Sequence, residues 1–266
     1  MTQGPRDKAQ AAGERIATAA QALVEVSSKR EPLADYLANR DYVSSSQLRR
    51  FERMGEKSIG MQVGASFAGS MMGEAMHALL LEPEAFAAQY LVLDGSVPVH
   101  QTTSESDAMA REWLDAWQWS ALTRARSSIL AFERAPLARW LDEGEKELSI
   151  YWTDASGGRW KARPDCFTQD IVLDLKTTTD CRADPFARTR SKLRYDYQAV
   201  HYLEAVNALT GASPQFVYLA VELASPYSIM VHELQAAELS AARESLEALK
   251  REYRDAAARA ADATNA

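Results

Sequence analysis

The chain of 266 residues is poor in cysteine, with two, Cys166 and Cys181. That is too few for a disulfide scaffold, a zinc ribbon or a four-cysteine cluster, so no iron–sulfur cofactor is expected. It lacks any apolar run of the ~20 residues a membrane span needs; the most apolar stretch, 63–81, is interrupted by Glu74, His77 and three glycines. The N-terminus shows no apolar stretch of signal-peptide length, so a cytoplasmic location without a membrane partner is the expectation. Positive charge is in deficit, 30 Lys+Arg against 37 Asp+Glu for a net −7. This excludes a protein that holds nucleic acid by bulk positive charge. Internal repeats are absent, and low complexity is confined to the Ala-rich ends. What is there is ordinary for a globular protein, 47% apolar and 25% charged residues, in a length that suits one large domain or two small ones.

Ile16, Ala19, Ala20, Leu23 and Val24 fall at helical spacing and predict a helix over 12–27. Ser44 with Gln47 forms a capping-box pattern ahead of Leu48, Phe51 and Met54. A helix over 67–81 is ended by Pro83, and 104–141 reads as helical, with Trp113, Trp117, Trp119 and Trp140 as core residues. The period then changes to two. Leu148, Ile150 and Trp152 mark a strand, Asp154 to Gly158 a turn, 159–167 a second strand and 171–176 a third. Helices follow, one opened by Asp184-Pro185 and one closed by Gly211, then strands over 216–222 and 227–234 and a helix over 236–262. The order predicts an α/β (α+β) fold with one central mixed sheet flanked by helices.

Register makes the meander informative. A turn centred on Ser156 sets Glu147 opposite Asp165, and a turn centred between Gln169 and Asp170 sets Asp165 opposite Asp174. Three carboxylates in one cross-strand row repel unless a cation lies among them. Period-2 alternation puts Lys161, Arg163, Asp165, Asp174 and Lys176 on one face, and Ile171, Leu173 and Leu175 on a core face. A hard divalent cation suits such oxygen ligands, and an adjacent ammonium such as Lys176 can hold a water and offset developing negative charge.

Pro164-Asp165 followed by Asp174-Leu175-Lys176 resembles the PD-(D/E)xK nuclease motif, whose fold is a restriction-endonuclease-like core of αβββαβ order. Gly73 to Pro83, with His77-Ala78-Leu79-Leu80-Leu81-Glu82-Pro83, resembles a segment of RecE-type (exonuclease VIII-like) phage recombination exonucleases. Gln198 and Tyr202 resemble the Q-x-x-x-Y motif of RecB-like nucleases, and Ser44-Ser45-Ser46 with Leu48 resembles the Ser-rich first helix of the RecE-type group. The resemblance spans 31–235 as a nuclease domain, with 1–30 as a helical extension and 236–266 as a C-terminal helix. It implies that Asp165, Asp174, the Leu175 carbonyl and His77 hold Mg2+ (Mn2+ as substitute) and that Lys176 positions the water. Glu147 would act as the preceding acidic residue, with Gln198 and Tyr202 orienting the acids or a phosphate. Glu74 departs from the family's small residue after the glycine.

The resemblance further implies an exodeoxyribonuclease that degrades one strand of linear double-stranded DNA from its ends, 5′ to 3′, and leaves 3′ tails for recombination. It implies a ring-shaped homo-oligomer and a single-strand annealing protein as partner, in a phage or prophage context. A structure-specific or restriction-type endonuclease is the alternative, and a catalytically inactive DNA-binding module a further one. For DNA contact, 182–194 places Arg182, Arg188, Arg190, Lys192 and Arg194 against Asp184 alone, and Arg163 lies on the carboxylate face. Arg49, Arg50 and Arg53 are weaker candidates, because Glu52 and Glu56 dilute them.

Overall fold

Helix starts follow local chemistry in the computed structural model, which describes residues 25–61, 71–93 and 111–265. Ser44 caps α2 (Ser45–Met54), and its amide donates to Gln47 Oε1 at 2.9 Å, closing the expected capping box. Pro83 stops α3 (Met71–Leu81) and occupies the first turn of α4 (Pro83–Gln89), where a missing N–H costs nothing. The remaining helices are α1 (Leu33–Ala38), α5 (Ala116–Leu130), α6 (Leu137–Glu143), α7 (Ala183–Leu193), α8 (Tyr195–Thr210) and α9 (Ala236–Asn265).

The strands are β1 (Glu25–Lys29), β2 (Tyr90–Leu93), β3 (Glu112–Asp115), β4 (Glu145–Lys146), β5 (Ser149–Thr153), β6 (Arg159–Ala162), β7 (Cys166–Phe167), β8 (Ile171–Thr178), β9 (Gln215–Glu222) and β10 (Ile229–Glu233). A five-stranded mixed sheet has the order β10-β9-β8-β7-β4, with β8 and β9 parallel. An antiparallel sheet has the order β1-β5-β6, and β2 pairs with β3 in parallel. Running from α3 through β4–β5, β6–β7, β8 and α8 to β9, the chain has the restriction-endonuclease-like αβββαβ order.

The meander keeps its expected register but not its continuity. Ile150 faces Ala162, Lys146 faces Cys166, and Cys166 faces Leu173. Each of the first two strands is broken, at Glu147, which has a left-handed φ of 50°, and around Pro164, which has no N–H to donate to a ladder. Each strand therefore passes from one sheet to the other.

The mixed sheet is buried on both faces. Ile171, Leu173, Leu175, Val217, Leu219 and Val221 pack against Met76, Leu79 and Leu80 of α3 and Leu122, Ala125 and Ile129 of α5. Val172, Phe216, Tyr218 and Ala220 pack against Val200, Leu203 and Val206 of α8 and against Leu246 and Leu249 of α9. The C-terminal helix thus packs into the core. Lys250 ties it down through an ion pair with Glu204 of α8 while lying over the Trp160 ring.

Other expectations change. Of the helix expected over 12–27, residues 12–24 lie outside the described residues, and 25–29 form strand β1, whose pairing with β5 overrides local helical spacing. Residues 67–70 and 104–110 also lie outside the described residues. Glu112–Asp115 is a strand, and Trp113 and Trp117 are surface residues, 50% and 68% exposed. Trp119 stacks on Phe86 as a core residue would.

Candidate active site

The two strand breaks meet. Glu147 N–H donates to the Asp165 carbonyl at 3.2 Å, which brings both residues to the middle of β8, where Asp174 and Lys176 lie. Asp165 Oδ2 accepts the Leu175 N–H at 2.6 Å and lies 3.0 Å from His77 Nε2 on α3. Asp174 is completely buried. Its Oδ1 accepts from Gln198 Nε2 at 3.0 Å, and the same amide donates to Tyr202 Oη at 3.0 Å, as their spacing on one face of α8 allows. The Lys176 ammonium pairs with Asp174 Oδ2 and lies 4.9 Å from the Tyr195 ring centre. His77, Glu147, Asp165, Asp174, Leu175, Lys176, Gln198 and Tyr202, chosen from sequence, thus share one site.

The charges are strained by one another. Burial pushes the Asp174 carboxyl up to about 6 against the pull of Lys176. Burial and then the Asp165 charge raise Glu147 to about 7, against Arg163. Burial disfavours a charged His77, but the Asp165 carboxylate outweighs it and lifts the imidazole to about 9. Burial likewise opposes ionisation of Asp165, and the His77 charge overcomes it, holding the carboxyl below its usual range.

The imidazole geometry tests the site for a cation. His77 Nδ1 lies 2.9 Å from the Gly73 carbonyl, which can only accept, so Nδ1 carries the hydrogen. A neutral His77 then aims the Nε2 lone pair at Asp165 Oδ2, and two acceptors at 3.0 Å need a proton or a metal cation between them. Asp174 Oδ2 is a second buried acceptor, and its partner is the Lys176 ammonium. One imidazole and two carboxylates suit a divalent ion. Among the described residues, no three His, Cys, Asp or Glu side chains are gathered as ligands. Each carboxylate of the row has its own partner instead, Asp165 with His77, Asp174 with Lys176 and Glu147 with Arg163.

Arg163 shows what sequence reasoning missed. It is buried, and its Nε donates to Glu147 Oε2 at 2.7 Å, its Nη1 to the Glu31 carbonyl at 2.7 Å and its Nη2 to Glu82 at 3.3 Å. It braces the site from below and presents no surface to DNA. Glu82, within the quoted His77 segment, was the available signal for this network. Lys161, expected beside the carboxylates, instead donates to the Tyr36 and Asn39 carbonyls at 2.5 and 2.6 Å, with no carboxylate in ion-pair contact among the described residues. Burial and then the like charge of Glu112 raise the Glu74 carboxyl above its usual range.

The sequence model of the family described as "PDDEXK-like domain of unknown function (DUF3799)" matches residues 44–264. The chain belongs to this PDDEXK-like family. The PDDEXK-like domain therefore runs from the N-cap of α2 almost to the end of α9. A crystal structure named "Putative exonuclease", from Eubacterium rectale, is similar with a TM-score of 0.58 and 15% identity over 86% of this chain and 87% of that one. At that identity the likeness is one of fold. No curated protein matches the chain.

On the PDDEXK-like domain, the other basic candidates divide. Arg188 and Lys192 are exposed on α7. Arg190 is ion-paired with Glu238. Arg194, in a left-handed turn between α7 and α8, stacks on Tyr197 at 3.7 Å and faces Glu52 and Asp196, each at 3.6 Å. The described helices include none long and apolar enough to cross a membrane.

Proposed function

We propose that this chain is a Mg2+-dependent deoxyribonuclease, with Mn2+ as substitute, of RecE type. It degrades one strand of linear duplex DNA from 5′ to 3′ and leaves 3′ single-stranded tails for strand annealing. The observation that carries this reading is the convergence of His77, from residue 77, on Asp165 at 3.0 Å, beside Asp174 and Lys176. Asp165, Asp174, His77 and the Leu175 carbonyl would hold the metal, and Glu147 would add negative charge at its edge. A bound divalent ion polarises a phosphoryl oxygen and lowers the pKa of water. The chain's own residues do the rest. Lys176 holds the attacking water and offsets charge on the transition state. Gln198 fixes Asp174 Oδ1 and is itself aligned by Tyr202. Arg163 keeps Glu147 in place. A ring of copies around DNA and a single-strand annealing partner complete the proposal.

Purified protein incubated with linear duplex and Mg2+ tests it, using substrates labelled at the 5′ or the 3′ end and a closed circular duplex as the third substrate. Early release of the 5′ label with the circle left intact is the expected result. Early release of the 3′ label overturns the polarity. Cutting of the circle favours an endonuclease, and no cleavage in Mg2+ or Mn2+ overturns the reading altogether.

A further inference from the structure

Most arginines around the site are neutralised by carboxylates of the chain, Arg163 by Glu147 and Glu82, Arg190 by Glu238, and Arg194 by Glu52 and Asp196. Arg49, on α2, stands apart. Its Nη1 donates to the Leu193 carbonyl at 3.0 Å, at the end of α7. Its Nε is buried without a hydrogen-bond partner, and no described carboxylate lies within ion-pair distance of it. Its guanidinium carbon lies 5.9 Å from the centre of the Tyr195 ring, the ring that Lys176 Nζ approaches at 4.9 Å. Two cations therefore share one aromatic ring, and only Lys176 has a carboxylate, Asp174.

A half-buried guanidinium with a buried, unpartnered Nε and no carboxylate beside it is costly unless an anion joins it. Its planar fork suits a phosphate oxygen pair. The Leu193 carbonyl and the Tyr195 ring hold it in place beforehand, so little side-chain freedom is lost on binding. We infer that Arg49, steered by Tyr195 and Leu193, binds a DNA backbone phosphodiester next to the one cleaved at Lys176. This deepens the nuclease reading and rests on it for the location of the cleaved bond. It also adds α2 to the DNA contacts expected from α7, where Arg190 is engaged by Glu238 and Arg188 and Lys192 stay exposed.

The test measures binding of the full chain to linear duplex in EDTA, where metal-dependent cleavage cannot proceed, over a range of salt concentrations. Duplexes with 5′-phosphate and 5′-hydroxyl ends are compared. Each phosphate contact contributes about 0.9 to the slope of log K against log salt. The expected result is that Arg49→Gln weakens binding to both duplexes and lowers the slope by about one, while Arg49→Lys keeps the slope. Arg139→Gln, a surface control paired with Glu143 on α6, should match wild type. An unchanged slope in Arg49→Gln overturns the assignment, and so does a loss confined to 5′-phosphorylated ends. If Arg49→Gln is destabilised, the Arg49→Lys and Tyr195→Leu variants carry the same test, with Tyr195→Leu expected to weaken binding and Tyr195→Phe to restore it. A protein that binds through Arg49 but cleaves nothing defeats the nuclease reading and leaves this one standing. Cleavage by wild type with an unaltered slope in Arg49→Gln does the reverse.

Discussion

The two faces of β8 belong to one strand and differ in what they meet. On one side Ile171, Leu173 and Leu175 are apolar throughout and face the apolar sides of α3 and α5. On the other, Val172 is apolar, but Asp174 and Lys176 follow, and α8 meets them with Gln198 and Tyr202 in place of a hydrocarbon side chain. Burial is equally deep on both, since Leu173 and Asp174 are each 0% exposed. The difference is chemical. The first face holds the sheet together, and the second keeps charges in a poorly solvated place where a cation is favoured.

Substitutions on the two faces should separate activity from stability. Asp174→Asn keeps the shape of the residue and removes a ligand charge. Cleavage should fall about 1000-fold, the equivalent of the several kcal/mol that an oriented metal contributes, while the far-UV spectrum is unchanged. Steady cleavage by this variant would break the comparison. Leu173→Ala should do the opposite, costing about 2–5 kcal/mol in urea unfolding through lost contacts and a cavity, with activity per folded molecule largely kept.

The charged face also predicts a pH dependence. Asp174 and Glu147 are raised to about 6 and about 7 from ordinary values of 3.8 and 4.5, so their protonated forms stabilise the fold at low pH, and that contribution is lost as pH rises through the raised values. His77 is raised from 6.5 to about 9, so its contribution is present below pH 6.5 and lost as pH rises through about 9. All three act in one direction. Below pH 6.5 the buried His201, lowered to about 3 by desolvation, acts the other way, so protein kept in EDTA should lose thermal stability most clearly between about pH 6.5 and 9. Added Mn2+ should restore more of it at pH 8 than at pH 6, because metal and protons compete for the same atoms. Equal Mn2+ stabilisation at both values would count against the shared site.

The smallest effect belongs to the surface. Trp117→Ala removes a side chain that is 68% exposed and should change unfolding free energy by less than about 0.5 kcal/mol. A larger loss would show that this tryptophan has the core role its spacing suggested.

That last case marks where sequence stopped being informative. The register of the carboxylate row was legible, because Asp154 to Gly158 and the Thr168 to Asp170 turn fix strand pairing locally, and pairing decides what lies opposite what. The breaks at Glu147 and Pro164 were not, because passing between sheets depends on which neighbours each strand segment meets. The second buried face was hidden for a similar reason. Asp174 and Lys176 are polar, and the helix that covers Asp174, α8 with Gln198 and Tyr202, comes from a later stretch of the chain. Arg163 lay hidden too, since its partners Glu31, Glu82 and Glu147 come from three distant stretches. Helical spacing around Trp113 misled, because β2, far along the chain from it, supplies the ladder that makes Glu112–Asp115 a strand.

The central claim is that Asp165, Asp174 and His77 form a cation site. Titration of Mn2+ into the protein at pH 8, followed by electron paramagnetic resonance of the free ion, measures this directly. The account predicts tight Mn2+ binding by wild type that is lost or strongly weakened in both Asp165→Asn and Asp174→Asn. Binding that is the same in all three proteins, or absent from wild type, would contradict it.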